Sequence, residues 1–322
     1  MIRVASPEQA VEQLAPTFDV AENVFSLRTL IVNLFFVGTG DEWVLVDAGL
    51  PKTTHLILHA AEQRFGPRSR PKAIVMTHGH FDHVGALREL AELWDVPVYA
   101  HELELPYLTG RASYPPPDPT VGGGMMARLS PLYPRGPVDL GDRVKPFPMD
   151  STIPNMPGWN WIHTPGHSPG HVSLWRESDR CLIAGDAFVT TIQESAQSAM
   201  TCQPVEVHGP PKYFTQDWAA AYVSVQRLAG LEPSVAATGH GLPMSGDQLL
   251  EQLHGLAANF AERAVPAKGR YVNEAASFDI NGPVSVPPPV SDPVTLGALA
   301  AVALGSAALT SALLGSEQKT RA

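Results

Sequence analysis

Residues 73–87 read "AIVMTHGHFDHVGAL". An apolar run from Ala73 to Met76 is followed, within six positions, by His78, His80, Asp82 and His83. Beyond them Leu87, Leu90, Leu93 and Trp94 recur at helical spacing. The segment predicts a buried strand, a sharp turn and a helix from about Asp82 to Trp94. Side chains two apart on extended backbone point the same way, so His78 and His80 project together and Gly79 keeps the space between them free. Asp82 and His83 fall at the predicted helix entry, where an aspartate also suits the positive end of the helix dipole. Imidazoles and a carboxylate this crowded suit a divalent cation, whose ligands must come within about 2–2.2 Å from several directions.

Similar residues recur downstream. His167 lies between two Pro-Gly turns in "HTPGHSPGH", Asp186 ends the strand-like "CLIAG", and His240 follows "VAAT" before a glycine. Taken singly, a strand-end histidine is usually structural and an aspartate after glycine a turn former. Together, in strand-end loops where α/β proteins carry their reactive groups, they point to a metal site.

Working outward, Ser6, Pro7 and Gln9 predict a short capped helix over 7–14. "NVFSLRTLIVNLFFVG" and "WVLVDAGL" read as a hairpin of two buried strands across "GTGDE". A helix over 53–65 and a strand "VPVYA" flank the histidine cluster. Residues 105–157, with "YPPPDPT", "VGGG" and "PLYPRGP", form a loop-rich insertion. Its Tyr107, Tyr114, Met125, Met126 and Tyr133 suit either an apolar substrate wall or a packing cover. Three strand-like runs follow over 158–189, then a helix from Thr215 to about Ala229, the strand "SVAATGHG" and an amphipathic helix over 246–263. The boundaries expected are a catalytic domain over 1–270 and a Pro-rich linker with a C-terminal apolar tail over 271–322. No charge occurs over 294–315, where Gly297, Ala301 and Gly305 make a small-residue stripe. Both a membrane anchor and a helix packed on protein remain open for this tail.

The 322 residues carry a formal net charge of -10, which disfavours nucleic acid as a substrate. Two cysteines, Cys181 and Cys202, are too few for a disulfide framework and fit a reducing compartment. "MIRVASPEQAVEQL" has no apolar core of signal-peptide length. The expected location is cytoplasmic, with membrane association through the tail as a variant, and the expected partner is a small-molecule substrate.

"THGHFDHVG", "HTPGHSPGH", "LIAGDA" and "ATGHG", in that order over roughly residues 20–262, resemble the motifs of the metallo-β-lactamase superfamily of hydrolases. The resemblance implies an α/β fold, an αβ/βα four-layer sandwich of two mixed β-sheets flanked by helices. It implies two divalent metal ions, one held by His78, His80 and His167, the other by Asp82, His83 and His240, with Asp186 bridging them. Asp47, ending "WVLVD", matches a family position behind the metals that steadies a ligand or loop; a turn residue in "DAGLP" is its plainer reading. The implied chemistry is attack by a metal-bridging hydroxide on an ester, lactone or thioester, with Asp82 moving the proton. Zinc is the expected ion, and iron or manganese also suit a thiolate-free donor set. Phe188 and Val189 stand where the superfamily's acyl-homoserine lactonases carry a tyrosine. A mononuclear iron dioxygenase of the same fold and a membrane-tethered, non-catalytic metal-binding domain are the alternatives. Of the other histidines, His163 and His171 read as hydrogen-bonded scaffolding, and His101 and His208 as substrate contacts.

Overall fold

The structure, a computed structural model, describes residues 15–290. The helix expected over 7–14 and the apolar segment 294–315 lie outside the described residues. The first sheet runs in chain order through β1 (Thr17–Ala21), β2 (Val24–Thr29), β3 (Val32–Thr39), β4 (Glu42–Val46), β5 (Ile74–Val75), β6 (Val98–Ala100) and β7 (Val144–Pro146). Pairing is antiparallel from β1 to β4 and parallel from β4 to β7. The parallel part needs crossovers, supplied by helices α1 (Thr54–Phe65) and α2 (Leu87–Trp94). The second sheet contains β8 (Trp159–His163), β9 (Val172–Arg176), β10 (Cys181–Gly185), β11 (Val235–Thr238) and β12 (Met244–Ser245), in spatial order β12-β11-β10-β9-β8. Helix α3 (Trp218–Ala229) carries the chain from β10 to β11, and α4 (Gly246–Ala258) follows β12.

The period of two along each strand sorts side chains into layers. On β4, Val44 and Val46 meet Leu174 and Ile183 of the other sheet, whereas Trp43 and Leu45 pack with Ile57 and Leu90 of the outer helices. On β10, Cys181 and Ile183 face the first sheet, and Leu182 and Ala184 pack beneath Val225, Leu228 and Leu253. Burial on both faces is why these strands read as nearly continuous apolar runs. The layers are helix, sheet, sheet, helix, the four-layer α/β sandwich of the metallo-β-lactamase fold.

Four expectations change. "NVFSLRTLIVNLFFVG" holds two strands, β2 and β3, joined by a turn at Leu30 and Ile31. No Gly, Asn or Asp marks that turn, and Leu30 takes it at φ 62. Helix α2 starts at Leu87, not Asp82, because the intervening backbone bonds elsewhere: Gly85 N donates to Gly49 O at 2.7 Å and Ala48 N to His83 O at 2.7 Å. The insertion contains short helices at Leu105–Leu108 and Met125–Leu129 as well as β7, whose pairing with β6 is remote in sequence. Packing also continues past residue 270. Tyr271 and Ala276 are buried in the second core, Tyr271 OH donates to Pro116 O at 2.6 Å, and β13 (Ser277–Asp279) pairs with β14 (Gly282–Ser285). Among the described residues no helix is long and apolar enough to cross a membrane.

Candidate metal centre

The loops after β5, β8, β10 and β11 are tied together by backbone hydrogen bonds. Val172 N donates to Thr77 O at 2.9 Å, Gly239 N to Gly185 O at 2.8 Å, and Asn33 N to Gly239 O at 2.7 Å. This brings His78, His80, Asp82, His83, His167, Asp186 and His240 into one buried cluster. Three overlapping sets each place their ligand atoms within 4.8 Å of one another: His78, His80 and His167; His78, His83 and Asp186; Asp82, His83 and His240. Asp186 Oδ2 lies between them, 3.4 Å from His167 Nε2, 3.7 Å from His83 Nε2 and 3.1 Å from His240 Nε2.

Four of the five imidazoles are aimed by what their other nitrogen touches, while His80 Nδ1 lies 2.9 Å from His167 Nε2 within the cluster. His83 Nδ1 lies 2.8 Å from Asp47 Oδ2. Asp47 follows β4 in the left-handed region, φ 61, which aspartate tolerates better than most residues, and its carboxylate also accepts from Thr77 N at 2.8 Å and Thr77 Oγ1 at 2.7 Å. It therefore braces both His83 and the start of the histidine loop. Because Thr77 Oγ1 donates to Asp47, it is the acceptor for His78 Nδ1 at 3.1 Å, and His78 Nε2 is left with a lone pair. Thr215 Oγ1 donates to Pro211 O at 2.9 Å and so receives His167 Nδ1 at 3.4 Å. His240 Nδ1 donates to Ile31 O at 2.6 Å, turning Nε2 toward Asp82 Oδ2 at 3.5 Å.

Four buried atoms in this cluster, His78 Nε2, His80 Nε2, His83 Nε2 and Asp186 Oδ1, have no hydrogen-bond partner in the protein. Each such orphan costs about 1–3 kcal/mol, a cost that a bound cation would remove. The donor set of nitrogen and oxygen fits a divalent ion of borderline hardness. Burial and the neighbouring imidazoles hold His78 and His80 well below their usual pKa. Burial brings His167 to about 4, against the pull of Asp186. These three are neutral donors at pH 7. For His83, burial pulls the pKa down, but the Asp186 and Asp47 carboxylates outweigh it and raise it. His240 is raised in the same way by Asp186 and Asp82. A proton held on either imidazole must leave before that residue can act as a ligand.

His171, His163, His101 and His208 are held by local partners. His171 Nε2 accepts Asp186 N at 2.8 Å and its Nδ1 meets Thr164 Oγ1 at 2.9 Å, so it scaffolds the loop carrying Asp186. His163 Nε2 donates to Pro169 O at 2.8 Å. His101 and His208, expected as substrate contacts, each have local partners. His101 accepts from Leu103 N at 3.2 Å and stacks on His163 at 4.1 Å, and His208 pairs with Glu206 at 2.8 Å. The expected apolar wall is also redistributed. Tyr107 and Tyr114 stack on each other at 3.8 Å, fully covered, and Met125 is 59% exposed. Met126 and Tyr133 instead join Phe81, Tyr213 and Phe214, and Phe214 lies 4.5 Å from the His80 ring. Phe214, Glu104 and the bracing role of Thr215, which the sequence offers only as a helix start where the structure has Asp217 as the cap, carry no motif and reach the cluster only through tertiary packing.

Fold and cluster together define a metal-site protein of the αβ/βα sandwich class. Residues 27–240 match the family model of the metallo-beta-lactamase superfamily, and the chain belongs to that superfamily. It is 46% identical over 243 residues to the probable metallo-hydrolase YflN of Bacillus subtilis (strain 168), covering 74% of this chain and 92% of that protein. It is 29% identical over 210 residues to the probable metallo-hydrolase YybB of the same organism, covering 65% and 80%. Among solved structures, the metallo-beta-lactamase family protein TTHA1429 from Thermus thermophilus superposes with a TM-score of 0.50 at 22% identity, over 74% of this chain and 80% of that one.

Proposed function

We propose that this chain is a binuclear metal-dependent hydrolase that cleaves an ester, lactone or thioester of a small, partly apolar molecule. The observation that carries the reading is the buried cluster of ligand-type side chains, in which His78 Nε2, His80 Nε2, His83 Nε2 and Asp186 Oδ1 have no hydrogen-bond partner. Two divalent ions, zinc by donor chemistry, one at His78, His80 and His167 and one at Asp82, His83 and His240 with Asp186 between, would acidify a water and polarise an acyl oxygen. Names of relatives as probable metallo-hydrolases support the hydrolytic direction.

The chain's own groups do the rest. Burial raises the pKa of Asp82, whose Oδ2 sits 3.5 Å from His240 Nε2, which suits it to take a proton and return it to a leaving group. Phe214 lies beside the His80 ring and clusters with Phe81, Tyr133 and Tyr213, a group that would seat an apolar substrate portion and keep bulk water out. Both cysteines are buried and free, in keeping with a reducing cytoplasm.

Elemental analysis of the purified protein, paired with a panel of esters, lactones and thioesters, tests the reading. Two equivalents of metal are expected. Asp186→Ala should lose at least about 100-fold in hydrolysis, because groups that merely support ligands cost 10–100-fold. One iron per chain with oxygen consumption, or undiminished hydrolysis by the variant, overturns it.

A further inference from the structure

Glu104 ends the helical turn Glu102–Glu104 after β6 and is fully buried, although no motif marks it. Its carboxylate takes four donors. Oε2 accepts from Gly79 N at 2.9 Å and from the Tyr114 hydroxyl; Oε1 accepts from Ser168 Oγ at 2.8 Å and Gly170 N at 2.8 Å. The Gly79 N–H is shared with the Tyr114 oxygen, also at 2.9 Å. Gly79 lies between His78 and His80, and Ser168 and Gly170 closely follow His167. One carboxylate therefore bolts together the two loops that carry His78, His80 and His167.

The glycines fit the same device. A Cβ on Gly79 would lie 2.7 Å from the Tyr114 hydroxyl oxygen and 3.3 Å from Glu104 Oε2. One on Gly170 would lie 2.8 Å from Glu104 Cγ and 3.0 Å from Oε1. Gly79 is thus required by the clamp passing behind it, rather than by crowding between the histidines. Tyr114 completes the arrangement with its ring 4.5 Å from that of His80.

We propose that Glu104, supported by Tyr114, is a positioning residue that sets the separation of these two loops. It thereby tunes the His78, His80 and His167 metal position while leaving the Asp82, His83 and His240 position unaffected. Three nitrogens must meet one ion at about 2.0–2.1 Å, and two of them come from one loop and one from another, so the gap between loops decides the fit. None of the four donors to the carboxylate belongs to a residue of the second set. The proposal rests on the binuclear reading above, and its test is read through metal binding rather than turnover.

Metal-free wild type, Glu104→Ala and Tyr114→Phe would be titrated with Zn2+ against a chromophoric chelator, with Co2+ spectra as a second readout. Wild type is expected to bind two equivalents. In Glu104→Ala one equivalent should weaken about 10–100-fold, and in Tyr114→Phe about 10-fold, with the other equivalent unchanged. Selective loss in the variants supports the clamp even if wild type hydrolyses nothing in the panel, a result that would sink the hydrolase reading alone. Equal weakening of both equivalents, or lowered thermal stability with unaltered metal binding, overturns the clamp. If Glu104→Ala does not fold, the Tyr114→Phe titration decides.

Discussion

His171 shows how one buried residue makes stability depend on pH. Asp186 N donates to its Nε2, a bond that exists only while that nitrogen is unprotonated, and burial together with His167 brings its pKa from 6.5 to about 3. Below pH 6.5 the unfolded chain takes up a proton that the folded chain refuses until about pH 3. The unfolded state therefore binds more protons in that window, and stability falls as pH falls through it. The slope from this residue reaches about 1.4 kcal/mol per pH unit. Denaturant midpoints of metal-free protein between about pH 6.5 and 4 should fall less steeply in His171→Gln than in wild type; parallel lines would show that His171 does not titrate this way.

The turn between β2 and β3 belongs to the element scale. Leu30 holds φ 62 while 49% of it is exposed, a left-handed conformation that costs a non-glycine residue about 1–2 kcal/mol. Asparagine tolerates that region, so Leu30→Asn should raise stability by about 1 kcal/mol without altering metal content, read as a rise in the thermal midpoint. An unchanged or lower midpoint would mean that the leucine contributes packing that outweighs its backbone strain. The same turn explains a misread element. Its sequence, "RTLIVN", has the composition of strand throughout, so the periodicity ran across a reversal. Helix α2 was misplaced for a related reason: Val84 and Ala86 continue an apolar pattern into the helix, but residues 48 and 49 take the backbone hydrogen bonds that a helix would need.

At the scale of the whole molecule, three large hydrophobic cores among the described residues are built from residues such as Leu34, Phe35 and Leu182, and none of them includes a candidate ligand. Chelation should therefore leave the far-UV circular dichroism intact. It should still lower the thermal midpoint by at least about 10 °C, since each ion at 1,000 times its Kd contributes about 4 kcal/mol and large domains shift about 2 °C per kcal/mol. Collapse of secondary structure on chelation would place the metals among the determinants of folding.

From sequence alone, His78, His80, Asp82, His83, His167, Asp186 and His240 could be chosen, and set at strand ends, because periodicity and motif spacing are local properties. The four layers followed from the family that those motifs resemble. Tertiary structure alone decided which imidazole nitrogen faces the cluster, that Phe214 lies against His80, and that Glu104 joins two loops. Glu104 meets Gly79 and Gly170 across 25 and 66 residues of chain. Hydrogen bonds over such separations leave no periodicity behind, and the glycines that admit them look like ordinary turn residues until the backbone is closed around them.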